Sequence, residues 1–106
     1  MSRLLALAAP AAALALAACG GGGGGKASGT PAQQFASLGC ASCHTLKAAG
    51  ATGRTGPVLD ELRPDAATVA RQIRSGGGGM PSYAGKLTDR QIAALAAYVS
   101  RAARGG

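Results

Sequence analysis

A small all-α domain is the fold class that this sequence predicts, and three observations support it. Helix-start patterns stand at Thr30, at Pro64-Asp65 and at Thr88. After the last two of these starts, apolar side chains recur three and four residues apart, as they do along one face of a helix. No stretch alternates apolar and polar side chains or is rich in β-branched residues, so the sequence predicts no strand. The 106 residues are enough for one such domain.

The first helix is predicted to begin after Thr30 and to run to about Leu38. Thr30 is a capping hydroxyl, Pro31 takes the first helical position, and Gln33 stands three residues after the cap. Phe35 lies three residues before Leu38, so both side chains are expected on one side of the helix.

Cys40 to His44 reads Cys-Ala-Ser-Cys-His, the C-x-x-C-H attachment signature for a c-type haem. Two thiols at this spacing can add to the two vinyl groups of one haem, and the adjacent His44 can then bind its iron. Two other uses of the cysteines stay open. A redox-active pair would expect alternating strands and helices. A structural zinc site would need about four ligands, and the sequence has one His.

Residues 45–55 are predicted to form a loop, because they include three alanines and two glycines. Gly56-Pro57-Val58-Leu59 follows, a segment that by itself indicates only a turn. The second helix is predicted to begin after Pro64-Asp65 and to end at Gly76. Its apolar stripe consists of Ala66, Val69, Ala70 and Ile73.

Four glycines at 76–79 precede Met80-Pro81-Ser82-Tyr83. A single Met is more often a core filler. Met80, however, follows a loop instead of lying on a helical stripe and precedes Pro81, so a second role, as a ligand of the haem iron, is considered beside the core position. Glycines lose entropy on ordering, which predicts a Met–iron bond that opens easily.

The last helix is predicted to begin at Thr88, where Thr88-Asp89-Arg90-Gln91 forms a second capping box. Leu87 and Ile92 are placed to form a hydrophobic staple across this helix start. The buried stripe is expected to contain Ile92, Leu95, Ala96 and Val99, with Tyr98 beside it.

Residues 1–18 resemble a bacterial lipoprotein signal peptide, with Arg3 before an apolar run and a lipobox that ends at Cys19. Cys19 is the predicted lipidation site, residues 19–29 a glycine-rich tether, and residues 30–106 the folded domain. Two alternatives stay open. One is an uncleaved membrane helix, although the run is short and interrupted by Pro10. The other is a plain secretory peptide with a chance Cys.

The chain is basic, with 11 Lys and Arg against 4 Asp and Glu and a formal net charge of +7. The basic residues are scattered, which fits a solvated surface or steering toward an acidic redox partner or an anionic membrane. Nucleic acid is excluded as a partner, because no basic cluster is interleaved with aromatic residues. Aromatic residues make up only 3% of the chain, so a large buried cofactor would supply missing apolar mass to a thin core.

In these motifs, over about residues 30–104, the chain resembles the class I cytochromes c, here in a bacterial lipoprotein form. The resemblance implies three to four helices around one covalently bound haem c, whose iron is held by His44 and Met80. It implies that the carbonyl of Pro57 accepts a hydrogen bond from the imidazole, that Leu59 lines the haem pocket, and that Tyr83 belongs to the sixth-ligand loop. Family members often have a polar residue in place of Val58.

The resemblance also implies a function. We expect an electron carrier and not an enzyme, in an extracytoplasmic respiratory chain, with its N-terminal helix crossing the C-terminal one at Phe35 and Tyr98. Its partners would be an oxidase or dehydrogenase complex with an acidic docking surface, and a lipid anchor would hold it to the membrane. The alternative is a haem-based peroxidase or gas sensor in which Met80 leaves the iron, although no distal His or catalytic Arg pattern supports it.

Overall fold

The computed structural model describes residues 27–105, so the predicted signal peptide 1–18, Cys19 and most of the tether lie outside the described residues. The all-α fold is confirmed, with five α-helices in the described part of the chain, where three or four were predicted. The additional helices are two single turns, too short to carry a stripe. The helices are α1 Pro31–Ser37, α2 Cys40–Cys43, α3 Leu59–Leu62, α4 Ala66–Ser75 and α5 Asp89–Ala103.

The absence of strands was a wrong prediction at residues 45–55. Two short strands, β1 Thr45–Leu46 and β2 Ala51–Thr52, pair antiparallel around a 3-10 turn at Lys47–Ala49. Leu46, the second residue of β1, is fully buried. Strands of two residues cannot show a period of two in the sequence, and Leu46 belongs to a core cluster formed with residues of distant segments.

The three predicted helix starts are confirmed. The backbone N–H of Gln33 donates to Thr30 Oγ1 at 3.2 Å, and the Gln33 side chain accepts from the Thr30 N–H at 2.8 Å. Thr88 forms the same reciprocal box at α5. Asp65 caps α4 by accepting from the backbone N–H of Thr68 at 2.7 Å, and this hydrogen bond holds the pKa of Asp65 below its ordinary value.

The core lies where α5 packs against α4 on one side and α1 on the other. The rings of Phe35 and Tyr98 meet edge to face, with centroids 6.2 Å apart and planes at 63°. Ile92 and Leu95 are almost completely buried. The expected crossing of the first and last helices is therefore present, and the buried stripes of α4 and α5 also line a cavity.

Ala27, within the segment predicted to be the tether, is already hydrogen-bonded to the helices. The carbonyl of Ala27 accepts from the side-chain amides of Gln34 at 2.6 Å and Gln91 at 3.2 Å. At the other end of the domain, the Arg104 guanidinium donates to the carbonyls of Arg63 and Pro64, both at 2.9 Å. Between residues 27 and 105, no helix is long and apolar enough to cross a bilayer.

Candidate functional site

A cavity of about 410 Å³ opens among the helices, in the size range of small-molecule and cofactor pockets. No Lys, Arg, Asp or Glu is among its lining residues in the described part of the chain. All the residues predicted to contact haem line this one cavity: Cys40, Cys43, His44, Pro57, Leu59, Met80 and Tyr83.

The short helix α2 places both cysteines at the cavity. Gly39 starts it from a left-handed conformation with φ 89°, which a glycine adopts without strain. One helical turn separates Cys40 from Cys43, so their side chains lie on the same side. The helix ends as His44 becomes extended, with its N–H donating to the Cys40 carbonyl at 3.0 Å.

The His44 ring is held by the segment that follows the hairpin. Its Nδ1 lies 2.9 Å from the carbonyl oxygen of Pro57. A carbonyl only accepts, so Nδ1 carries the hydrogen, and a neutral ring keeps the lone pair of Nε2 for a metal. Gly56 packs against the same ring, because a Cβ added to this glycine would lie 2.8 Å from His44 Cε1. This contact and the Gly56 N–H bond to the Cys43 carbonyl at 2.6 Å hold the ring in one orientation.

Burial raises the pKa of the Cys40 thiol to about 11, and the neighbouring Cys43 adds to the increase. Cys40 is thus a neutral thiol near pH 7, whereas the attacking cysteine of a redox-active pair has a lowered pKa. Burial, with a contribution from the same two thiols, also raises the pKa of Tyr83. The raised pKa of Cys40 therefore argues against a disulfide-exchange role for this pair.

The loop that carries Met80 is an ordered turn. The backbone N–H of Gly77 donates to the Met80 carbonyl at 2.8 Å, and the Met80 N–H donates back at 3.1 Å. Between them, Gly78 and Gly79 have φ of 65° and 93°. Positive φ at both central positions is the requirement of a type I′ turn, which explains the paired glycines.

After this turn the chain returns to the helices through Tyr83. Its N–H donates to the Ile73 carbonyl in α4 at 2.9 Å, and its hydroxyl donates to the Leu38 carbonyl at the end of α1, also at 2.9 Å. Tyr83 thereby connects the Met80 loop to two helices.

Several lining residues were not predicted as part of the site. They come from α1, from α3, where Leu62 is 58% exposed, and from the apolar stripes of α4 and α5, which were predicted only to pack the helices together. The stripe signal was present in the sequence, but it does not tell a helix neighbour from a cavity. The residues concerned are Phe35, Leu62, Val69, Ile73, Leu95 and Val99.

The donor set and the cavity fit a covalently attached haem. Two thiols lie on one side of α2, the imidazole keeps a free nitrogen lone pair, a thioether comes from a separate loop, and the wall is uncharged. Thiols, imidazole and thioether are the groups by which proteins hold haem iron and its macrocycle. The fold and site therefore define a small haem protein of the c type.

Comparison with known proteins gives the same class. Residues 26–99 match the family model described as cytochrome c oxidase, cbb3-type, subunit III. The chain is 32% identical over 93 residues to cytochrome c6 of Picosynechococcus sp., covering 70% of this chain and 80% of that protein. It is 52% identical to the c-type cytochrome SorU from Sinorhizobium meliloti, with a TM-score of 0.58 over 60% of this chain and 72% of that one.

The chain belongs to this family of c-type cytochromes, as a class I cytochrome c with a single haem. Its cofactor is covalently bound haem c with its iron, and its activity is electron transfer.

Proposed function

We propose that this protein carries single electrons in an extracytoplasmic respiratory chain, with Cys40 and Cys43 as the thioether attachments and His44 and Met80 as the axial ligands. The observation that supports the proposal most is that these four side chains, from two segments far apart in the sequence, line one uncharged cavity. When bound, haem c supplies the one-electron couple between ferrous and ferric iron.

The residues of the chain adapt that couple to electron transfer. The Pro57 carbonyl holds His44 in the tautomer that leaves Nε2 to bind, and it makes the imidazole a stronger donor. As an iron ligand, the thioether of Met80 would favour the ferrous state and raise the potential. With His44 and Met80 both bound to the iron, no position would be left for a substrate, as expected of a carrier that is not an enzyme.

Partner recognition follows from charge and from the cavity lining. The excess of basic residues would steer the protein toward an acidic docking surface. No charged residue lines the cavity in residues 27–105, so this steering comes from the surface around it. The partner would be an oxidase or a dehydrogenase complex, and the name of the matched family model supports an oxidase.

The proposed location rests on the sequence of residues 1–29. Signal peptide 1–18, lipid on Cys19 and a glycine-rich tether would hold the haem domain close to the outer face of the cell membrane. Labelling of cells with radioactive palmitate tests this. The protein should incorporate label and appear in the membrane fraction, and Cys19→Ser should abolish both; unlabelled, fully released protein would contradict the anchor.

An optical spectrum tests the ligands. The protein is made in a host with c-type maturation and recorded oxidised and reduced. We expect the weak far-red charge-transfer band of Met–iron ligation when oxidised and sharp low-spin bands when reduced. Met80→Ala should abolish the far-red band and keep the covalent haem, whereas Cys40→Ser with Cys43→Ser should abolish covalent attachment.

The same spectra also test the alternative function. A high-spin spectrum that binds carbon monoxide readily would show an open sixth position and favour a peroxidase or gas sensor. Peroxidase turnover comparable with that of a dedicated peroxidase would overturn the carrier assignment.

A further inference from the structure

The last turn of α4 makes several contacts with the loop that carries Met80. The side-chain amide of Gln72 donates to the carbonyls of Gly76 at 3.1 Å and Gly77 at 3.4 Å. The Gly76 N–H donates back to the Gln72 carbonyl at 2.7 Å. One residue of α4 therefore contacts both residues at which the loop departs from the helix.

The departure point is also crowded. Gly76 has φ 68°, and a Cβ on it would lie 2.7 Å from the carbonyl oxygen of Met80 and from backbone atoms of Pro81 and Ser82. The end of the loop, at Pro81 and Ser82, therefore packs against its beginning at Gly76. In the same place Ser82 Oγ donates to the Arg74 carbonyl at 2.7 Å. By contrast, an added Cβ on any of the three glycines at 77–79 would meet nothing within 4 Å.

The open tip has no side chain to hold it, so its position depends on its ends. The return end is attached through Ser82 and Tyr83. At the departing end, Gln72 supplies the side-chain amide that bonds the loop carbonyls. Gln72 and Met80 both line the cavity, on either side of this junction.

We propose that Gln72 is a positioning residue for Met80: by holding the carbonyls of Gly76 and Gly77, it limits how readily the Met80 thioether leaves the iron. The inference rests on the proposed function, because it takes Met80 as the sixth ligand. It replaces the expectation that the glycines alone make this bond labile.

Displacement of Met80 by imidazole tests the inference. Ferric holoprotein is titrated with imidazole, and the loss of the far-red band is followed. Gln72→Ala, which removes the side-chain amide, should raise the imidazole association constant about fivefold, equivalent to about 1 kcal/mol. Gln72→Glu should have a larger effect, because a carboxylate faces two carbonyl oxygens with no hydrogen to donate.

The matched control is Gln33→Ala, which makes the same substitution in the capping box of α1, away from the loop. It should lower the unfolding temperature and leave the imidazole titration unchanged. A second measurement does not depend on the iron ligand: amide exchange of the Gly77 N–H, which bonds the Met80 carbonyl, should be faster in Gln72→Ala than in Gln33→Ala.

The outcomes are separable. If Gln72→Ala titrates like the unmutated protein, or if Gln33→Ala changes the titration as much, Gln72 does not position Met80. If the unmutated ferric protein has no far-red band, Met80 is not the ligand, and the proposed effect of Gln72 on release of Met80 from the iron is then also wrong. Gly77 exchange would then still show whether Gln72 holds the turn.

Discussion

Removal of the Tyr83 hydroxyl should measure how strongly the Met80 loop is attached to α1. The hydroxyl donates to the Leu38 carbonyl at 2.9 Å, and the tyrosine is only 7% exposed. Tyr83→Phe keeps the ring in place, together with the Lys86 ammonium 5.4 Å from the ring centroid, and so removes the hydrogen bond alone.

The expected loss can be calculated from the hydrogen bond. A net intramolecular hydrogen bond contributes about 1 kcal/mol, with an added penalty where the partner stays buried without a replacement. Leu38 is half-buried, so water can reach part of its surroundings and we expect the lower end of that range. For a domain of 60–100 residues, about 1 kcal/mol lowers the unfolding temperature by about 4–8 °C.

The assay is thermal unfolding of the reduced and oxidised holoprotein, followed by circular dichroism. Tyr98→Phe is the matched control, since no hydrogen bond of its hydroxyl is found among residues 27–105 while its ring packs on Phe35. The control should unfold within about 1 °C of the unmutated protein. Equal unfolding temperatures for Tyr83→Phe and the unmutated protein would refute the reasoning.

Three other substitutions test separate features. Thr88→Ala removes the α5 capping box and should cost about 1 kcal/mol in a denaturant titration, whereas Thr88→Ser should retain most of it. Gly56→Ala should shift the reduction potential by pressing on the His44 ring, while Gly85→Ala, where an added Cβ meets nothing within 4 Å, should leave the potential unchanged. Asp65 has a lowered pKa when folded, so its stabilisation is full above its ordinary value of 3.8 and is lost as pH falls through the folded value. Asp65→Asn should therefore lose less stability than the unmutated protein between pH 5 and pH 3 in thermal scans; equal losses would contradict the cap's charge dependence.

The sequence predicted those helices whose first turn follows a capping residue. Thr30, Asp65 and Thr88 each have a capping side chain within three residues of the N–H that it accepts from, so nearest neighbours determine those starts. The single-turn helices and the hairpin have no such signal. Leu46 is buried through contacts with distant segments, and a pattern of two residues cannot show that.

The candidate site likewise has a part that local sequence signals predicted and a part that they did not. The motif around Cys40 and His44 could be predicted because covalent chemistry requires a fixed spacing. The hold of Gln72 on the glycine loop could not, because it depends on how a helix end meets the chain that returns to it. The sequence shows the glycines as flexible, while the structure uses two of them for the positive φ of one defined turn.

The uncharged lining of the cavity has a consequence for protons. The titratable side chains in it are the two cysteines, His44 and Tyr83, and no carboxylate or ammonium joins them among the described residues. In the proposed holoprotein, thioether bonds and iron ligation would remove the first three from titration, and burial raises the pKa of Tyr83. Around neutral pH the side chains of the cavity would then have no group to take up a proton when the iron gains an electron. These side chains would therefore transfer no proton together with the electron.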